Sequence, residues 1–327
     1  MSQRGTEWES SMAQLIANHV RIILATYNGA PFLGAQLQSF LDQDHSDWSL
    51  AVGDDGSQDE TAEILSRFSD EHPGRDVTIR QGPRLGSAAN FLTQTMQAAR
   101  GGDWIAFSDQ DDVWMPHKIS RAVRRIQATT DPDAIAAYAG RTVLTDPTLA
   151  PQGLSRQYRR PPGFRNALIQ NVMAGNTIVL NPPAAQLVAK SARAAVVAGI
   201  PFHDWWVYLL ISGSGGTIIL DDEPVLFYRQ HDQNALGHHG GLFGHLVRAR
   251  LLANGTYSDW IDANLRGLTH CAHMLTPLAQ TQVQTFCEFR QFRHAKARMQ
   301  GLRDLGLYRQ NRLEDCITQL LVRIKRL

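Results

Sequence analysis

Short apolar runs alternate with amphipathic segments along the first third of the chain. Four runs rich in β-branched or aromatic residues predict strands at 20–25, 48–53, 77–80 and 104–108. Between them, apolar side chains such as Leu33, Leu37 and Phe40 recur at helical spacing. Strands that alternate with helices in this way predict an α/β fold with a mostly parallel, doubly wound sheet flanked by helices.

The remainder of the chain has a more mixed pattern. It predicts a strand at 171–181, helices at 182–198 and 203–211, and a strand pair at 216–221 and 224–229. A glycine- and histidine-rich stretch at 237–241 is typical of a hinge, and the pattern beyond it is helical. We therefore expect an N-terminal arm (1–17), a catalytic domain (18–237) and a basic helical C-terminal extension (238–327).

Polar side chains follow three of the predicted strands at the point where each strand ends. They are Thr26-Tyr27-Asn28, Asp54-Asp55 and Asp109-Gln110-Asp111-Asp112. In doubly wound sheets, ligands bind beyond the carboxyl ends of the strands. The three clusters therefore predict one binding site at one edge of the sheet.

The cluster at 109–112 places several carboxylates within one turn. Oxygen ligands of this kind suit Mg²⁺ or Mn²⁺, which bind through one or two carboxylates and substrate phosphates. Without a cation the carboxylates repel each other. The alternative is a helix N-terminus, where acidic residues favour the helix dipole. For Asp54 and Asp55, a turn and helix cap explains the sequence as well as a binding role does.

Two further segments carry candidate chemistry. Asp204 precedes Trp205 and Trp206, and apolar neighbours raise the pKa of a carboxyl towards that of a general base. Tryptophan faces also suit sugar rings, although a helix cap beside two core aromatics is the alternative. Arg229 and His231 follow a predicted strand and could contact phosphate or complete a metal site, or be structural.

Composition narrows the class of protein. With 43% apolar and 19% charged residues and a net charge of +1, the chain is globular and offers no argument for a nucleic-acid partner. Three separated cysteines and an N-terminus without a signal-type apolar core favour a cytoplasmic location. The charge is uneven, because residues 286–327 hold ten Lys/Arg against four Asp/Glu, a net charge of +6.

In order along the chain, these segments resemble the family 2 glycosyltransferases of the GT-A type, and within them the rhamnosyltransferase-like members. The matching pieces are residues 20–29, 53–57, 86–91, 107–114, 175–176, 203–206 and 228–231. The resemblance implies a GT-A type, Rossmann-like fold over about 18–237. It also implies an inverting, metal-dependent transfer of a sugar from a nucleoside-diphosphate donor to an acceptor hydroxyl.

The resemblance also implies roles for individual residues. Thr26, Tyr27 and Asp55 would bracket the nucleobase, and Asp204 would be the catalytic base. Asp109 would face the ribose and the metal, with Asp111 as the main ligand of a DxD motif, although Asp112 leaves that register open. We expect the remaining contacts to the donor from Asn28, Asp54, Asn90 and Arg229, and a metal contact from His231.

The donor and acceptor follow from the same resemblance. It implies dTDP-rhamnose as donor, with other UDP- or dTDP-linked sugars as alternatives, and a glycan or lipid-linked glycan as acceptor. The QxxRW motif of processive synthases is not found in the sequence, which favours addition of a single sugar.

The basic tail admits three interpretations. It could cap the catalytic domain as solvated helices, contact the inner face of a membrane peripherally, or pack in a homodimer. Two other classes compete with a transferase. A sugar-nucleotide pyrophosphorylase would need a basic, glycine-rich loop after the first strand, where this chain has Thr26-Tyr27-Asn28-Gly29. A catalytically silent nucleotide-sugar or glycan-binding protein would share the fold.

Overall fold

The computed structural model describes residues 18–99, 102–231 and 255–327. The predicted N-terminal arm at 1–17 and the predicted hinge at 237–241 lie outside these ranges. Within them, nine strands form one mixed sheet in the order β3-β2-β1-β4-β8-β6-β9-β5, with β7 paired to β6. The strands are β1 (Val20–Thr26), β2 (Trp48–Asp54), β3 (Val77–Gln81), β4 (Trp104–Ser108), β5 (Val113–Trp114), β6 (Ala136–Thr145), β7 (Pro151–Leu154), β8 (Val179–Leu180) and β9 (Thr217–Arg229).

Eleven α-helices lie in the same described ranges. They are α1 (Ala30–Leu41), α2 (Thr61–Glu71), α3 (Ser87–Ala98), α4 (Lys118–Gln127), α5 (Phe164–Ala167), α6 (Pro182–Ala198), α7 (His203–Gly213), α8 (Thr256–His270), α9 (Pro277–Gln291), α10 (Ala295–Leu305) and α11 (Arg312–Arg323). None of the helices described is long and apolar enough to cross a membrane.

The predicted α/β fold with flanking helices is confirmed, and the uniformly parallel strands lie in one half of the sheet. β3, β2, β1 and β4 run parallel to one another. Beyond β4 the sheet becomes mixed, because β8 pairs antiparallel with both β4 and β6, while β6 and β9 are parallel. The binding edge predicted from the sequence therefore belongs to the uniformly parallel half.

Two local predictions differ from the structure. The segment at 171–181 is not one strand, because the Asn171 side chain bonds the backbone of Met173 and turns the chain before a short 3₁₀ helix at Gly175–Thr177. The predicted strand pair after residue 216 is one long strand, β9. Within β9, the carboxylate of Asp221 accepts hydrogen bonds from Arg121 and Tyr138.

Alternating side chains of the strands feed two apolar clusters, one on each face of the sheet. Ile22 and Leu24 of β1 pack with α1, α2 and α4, whereas Ile23 joins the face covered by α3, α6 and α7. This second cluster continues without a break into the C-terminal helices through α8, α9 and α10. The basic C-terminal segment therefore shares a core with the sheet.

The contact between α8 and α7 gives a direct test of this shared core. A β-carbon at Gly267 would lie 2.7 Å from the ring of the buried Trp206. We expect Gly267→Ala to lower the free energy of unfolding by about 1–3 kcal/mol through overpacking. Gly34 in α1 has open space around it, so Gly34→Ala should stabilise by roughly 0.5–1 kcal/mol. Urea unfolding followed by circular dichroism measures both, and an unchanged midpoint for Gly267→Ala would contradict the shared core.

Candidate active site

The carboxyl ends of β1, β2 and β4 meet at one edge of the sheet, as the polar clusters predicted. Thr26 is in register with Asp54, and Leu24 is in register with Ser108. The segments that follow these strands therefore lie side by side. This edge is the candidate active site.

The carboxylate of Asp54 organises the turn after β2. One oxygen accepts hydrogen bonds from the hydroxyls of Thr26 (3.0 Å) and Ser57 (2.5 Å). The other accepts from the backbone amides of Gly56 (3.1 Å) and Ser57 (2.9 Å). All four contacts are internal, so the observed geometry of Asp54 is that of a turn scaffold.

Asp55 lies beside Asp54 and binds a different part of the chain. Its two carboxylate oxygens accept from the backbone amides of Arg84 and Gly86, each at 3.1 Å. Asp55 thus fixes the loop between β3 and α3 at the edge of the site. Asn90 is buried in α3 and donates to the carbonyl of Gly53 at 2.7 Å, so it supports the end of β2 from behind.

Gln110 was not assigned a role from the sequence, yet it connects the ends of β1 and β4. Its amide accepts from the backbone N–H of Tyr27 (2.8 Å) and donates to the carbonyl of the same residue (3.0 Å). The Tyr27 ring is left 57% exposed at the mouth of the site. A β-carbon at Gly29 would lie 2.3 Å from the Gln110 amide oxygen, so this approach requires glycine there.

Asn28 fastens the end of β1 to the turn after β2. It adopts a left-handed backbone conformation with φ of 49°. Its N–H donates to the Ser57 hydroxyl at 2.9 Å, and its side-chain oxygen accepts from the Gln58 amide at 2.8 Å. Asparagine tolerates this conformation better than most residues, which accounts for its place in the turn.

The centre of the site is a group of carboxylates. Burial and the nearby charges of Asp111 and Asp204 raise the pKa of Asp109 to about 7, against an opposing effect of Lys118. The carboxylates that the sequence placed far apart, at 109–111 and at 204, are therefore brought within electrostatic reach of one another. Asp111 also lies 2.8 Å from Nε2 of His231.

Asp112 points away from this group and into the protein interior. Its buried carboxylate accepts from the Asn176 amide at 2.6 Å and from the backbone N–H of Arg229 at 3.4 Å. Burial raises its pKa well above the ordinary value. The side chain of Lys118 is also fully buried. Its Nζ atom lies 2.6 Å from the carbonyl oxygen of Asn176 and 3.1 Å from the centre of the Trp114 ring.

Arg229 and His231 flank the aromatic ring of Phe32, which was not singled out from the sequence. His231 stacks on the ring at 4.8 Å, and the Arg229 guanidinium lies 4.7 Å from its centre. Arg229 is buried and donates to the backbone carbonyls of Asp111 (2.9 Å) and Pro147. These contacts support the backbone of the acidic segment, and the predicted contact of Arg229 with phosphate stays a prediction.

Asp204 lies in the first turn of α7. Burial raises its pKa to about 6, while hydrogen bonds from the backbone of Trp205, the side chain of Asn171 and the backbone of Gly175 act in the opposite direction. The neighbouring His203 is stacked 4.0 Å from Phe91, and burial lowers its pKa to about 3, so its ring is neutral.

The two tryptophans after Asp204 are core residues. Both are buried, and their indole N–H groups donate to the Ala167 carbonyl (2.7 Å) and the Ser191 hydroxyl (2.9 Å). The suggestion that their faces could bind sugar rings is therefore wrong. The long apolar α7 must be buried on all sides, and this need accounts for Trp205 and Trp206.

Within the described ranges, no group of three or more His, Cys, Asp or Glu side chains is arranged to hold a metal ion by itself. Mg²⁺ usually binds through one or two carboxylates together with substrate phosphates. Asp109 and Asp111 fit this mode, since a cation would relieve the repulsion that raises the pKa of Asp109.

The fold and this edge agree with the GT-A type framework that the resemblance implied. The parallel half of the sheet ends in an acidic cluster beside a carboxyl with a raised pKa. Residues 21–180 match the family model described as "Glycosyl transferase family 2". The chain therefore contains a region similar to glycosyl transferase family 2, which spans just under half of its length.

Individual proteins are similar to the chain as well. The chain is 26% identical over 244 residues to the dTDP-rhamnosyl transferase RfbG of Shigella flexneri, covering 72% of this chain and 80% of that protein. It is 31% identical over 104 residues to the UDP-Glc:alpha-D-GlcNAc-diphosphoundecaprenol beta-1,3-glucosyltransferase WfgD of Escherichia coli, covering 32% and 39% respectively. The crystal structure of S. aureus TarS 1–349 with UDP-GlcNAc has a TM-score of 0.51 at 12% identity, covering 94% of this chain and 88% of that one, and it shows the fold alone.

The raised pKa of Asp109 predicts that the metal-free site costs stability. Because folding raises this pKa from 3.8 to about 7, ionisation destabilises the native state, fully above about pH 7 and not at all below about pH 4. We expect Asp109→Asn to stabilise the metal-free protein at pH 8, on the order of 1–2 kcal/mol, and to lose this advantage at pH 4. Adding Mn²⁺ should reverse the order at pH 8 by stabilising only the wild type.

Thermal unfolding at the two pH values, with EDTA and with Mn²⁺, measures this effect. The control is Asp70→Asn, which makes the same chemical change at an exposed position in α2. Equal behaviour of the two variants would show that Asp109 carries no electrostatic strain.

Proposed function

We propose that this protein is an inverting, metal-dependent glycosyltransferase that moves a sugar from a nucleoside-diphosphate donor to an acceptor hydroxyl. The observation that carries the proposal is the position of Asp204. Its carboxyl has a raised pKa and lies within electrostatic reach of Asp109 at the acidic end of β4. A general base poised near neutral pH beside a cation-binding cluster is what such a transfer requires. The match of residues 21–180 to the family 2 model supports the same proposal.

The donor nucleotide would occupy the ends of β1 and β2. The exposed Tyr27 ring offers a face to the base, and Thr26 lies next to it. The Asp55 carboxylate has capacity for further hydrogen bonds beyond the two it accepts, since a carboxylate offers about four acceptor sites. It would accept a base N–H. Asn28, Asp54 and Asn90 would support this pocket through the turn contacts described above.

The diphosphate would lie against the end of β4. Asp111 and Asp109 would hold a Mn²⁺ or Mg²⁺ ion, with His231 beside Asp111. When bound, the cation would supply Lewis-acid stabilisation of the negative charge on the departing diphosphate. Asp112 is not proposed as a ligand, because its carboxylate is buried and bonded to Asn176.

Asp204 would act as the base. Its carboxylate takes the proton of the acceptor hydroxyl while the acceptor oxygen forms a bond to the anomeric carbon. The bond from that carbon to the phosphate oxygen breaks on the opposite side, and its electron pair leaves with the diphosphate. Attack opposite the leaving group inverts the configuration. The neutral, buried His203 beside Asp204 stacks on Phe91, which would anchor the first turn of α7.

The donor sugar is proposed to be L-rhamnose, carried by dTDP. The similarity to a dTDP-rhamnosyl transferase over most of both chains supports this choice. The acceptor would be a hydroxyl of a cell-surface polysaccharide or glycolipid intermediate at the inner face of the membrane, consistent with the lipid-diphosphate acceptor in the name of WfgD. A silent binding protein of the same fold is the alternative, and turnover separates the two.

We expect Asp204→Asn to reduce kcat by at least about a thousandfold, because the general base is lost while the donor pocket is untouched. Donor affinity should change less than about threefold, as measured by calorimetric titration with Mn²⁺ present. Asp70→Asn should leave both quantities unchanged. If Asp204→Asn retained full turnover, the assignment of the base would be wrong.

A donor panel tests the class and the sugar together. With Mn²⁺, dTDP-rhamnose should raise the melting temperature and undergo slow hydrolysis, and EDTA should abolish both effects. Hydrolysis of UDP-sugars alone would keep the mechanism and reject rhamnose. No response to any nucleotide sugar, with or without metal, would favour the silent binding protein.

A further inference from the structure

We propose that the outer face of α11, together with the segment that follows α9, binds the surface of an anionic lipid bilayer. The surface is defined by Leu313, Cys316, Leu320 and Ile324, and by the basic side chains around them. It deepens the proposed function, because a lipid-linked acceptor would be met at such a surface. Its test needs neither donor nor turnover, so the two proposals can fail separately.

The apolar part of the surface is a single stripe. Leu313, Leu320 and Ile324 are 72%, 55% and 55% exposed, although each is a large apolar side chain. They are spaced seven and four residues apart, and the exposed Cys316 lies between the first two. This spacing aligns them along one side of the helix over about 16 Å. In the described part of the chain, nothing packs over the stripe.

The acidic residues of α11 are turned inward. Glu314 pairs with Arg156, and Asp315 pairs with Arg160 at 2.7 Å. Glu314 also accepts a hydrogen bond from Gln170 at 3.1 Å. Every acid of this helix is therefore neutralised on the side that packs against the catalytic domain, and the outer side carries none.

The basic residues that remain are turned outward. Arg312 and Arg323 are exposed along one border of the stripe, and Lys325 and Arg326 are exposed just beyond the helix end. An apolar stripe bordered by Lys and Arg is the pattern of helices that lie in the interface of anionic membranes. Charge complementarity therefore selects a bilayer as the occupant in preference to a second protein.

The surface is rigidly built and extends beyond α11. Arg298 is buried and donates to the carbonyls of Val322 (2.8 Å) and Arg323 (2.6 Å) at the end of the helix. The same guanidinium donates to the carbonyls of Phe292 (2.7 Å) and Arg293 (2.8 Å). The exposed Phe292 ring and Arg293 side chain are thereby held next to the basic end of α11.

The inner side of α11 leads to the candidate active site. The side-chain amide of Gln170 donates to Glu314, and the next residue along the chain, Asn171, hydrogen-bonds Asp204. A bilayer on the outer side of α11 would therefore be connected through this segment to the part of the chain that carries the proposed base.

Vesicle binding tests the proposal. The purified chain should co-sediment with phosphatidylglycerol vesicles and not with phosphatidylcholine vesicles, and 0.5 M NaCl should weaken the binding at least about tenfold. Arg323→Glu with Lys325→Glu should weaken it at least about 30-fold, since each basic residue near an anionic surface contributes several-fold. Leu320→Ser with Ile324→Ser should weaken it about tenfold or more.

Matched controls lie elsewhere on the chain. Arg124→Glu reverses an exposed charge on α4, and Leu278→Ser changes a leucine that is 68% exposed at the far end of α9. Both should bind phosphatidylglycerol like the wild type, and all variants should keep the wild-type melting temperature. Absence of binding, or equal losses in the controls, would overturn the proposal. So would conversion of a dimer to a monomer by Leu320→Ser with Ile324→Ser, without any loss of vesicle binding.

Discussion

A fully buried lysine holds the acidic edge of the sheet in place, and the rest of the site depends on it. The amino group of Lys118 donates to the carbonyls of Asn176 and Phe107, and the Asn176 amide binds Asp112. A buried polar group without a hydrogen-bond partner is costly, so each of these groups requires the others. This hydrogen-bond network connects the end of β4 to the 3₁₀ turn that packs against α7. As a result, Asp111 faces the cleft and Asp112 faces the interior.

The surrounding structure explains how the unfavourable cluster of carboxylates is maintained. Burial makes the charges of Asp109 and Asp204 costly, and Asp111 and Asp204 both repel Asp109. The cluster is held together because the strands and α7 that carry it are anchored in two large apolar clusters on opposite faces of the sheet. Strain of this kind is concentrated where a ligand would relieve it. A divalent cation is a ligand that would relieve it, in keeping with the proposed function.

Much of this arrangement could be predicted from the sequence, because it follows from periodicity and strand ends. Thr26, Asp54 and Asp109 follow apolar runs, and parallel strands bring such residues to one edge. The directions of individual side chains could not be predicted. Asp111 and Asp112 are adjacent and chemically identical, and their opposite environments arise from Lys118 and from Asn176, which is 64 residues away from Asp112 in the sequence.

The two hydrogen bonds between the Gln110 side chain and the Tyr27 backbone likewise could not be predicted. The sequence indicates them only through the glycine that they require at position 29.

The charge that the C-terminal segment presents at the surface could not be predicted from the sequence either. The net charge of +6 on 286–327 counts Arg290 and Arg298 equally with exposed residues, but both are buried and bind backbone carbonyls. Buried arginines join helices, and their side chains are not accessible to a partner at the surface. The outer face of α11 is positively charged because Glu314 and Asp315 form ion pairs on the inner side, which removes negative charge from the outer face. Which charges act on a partner is thus decided by packing, and composition alone cannot decide it.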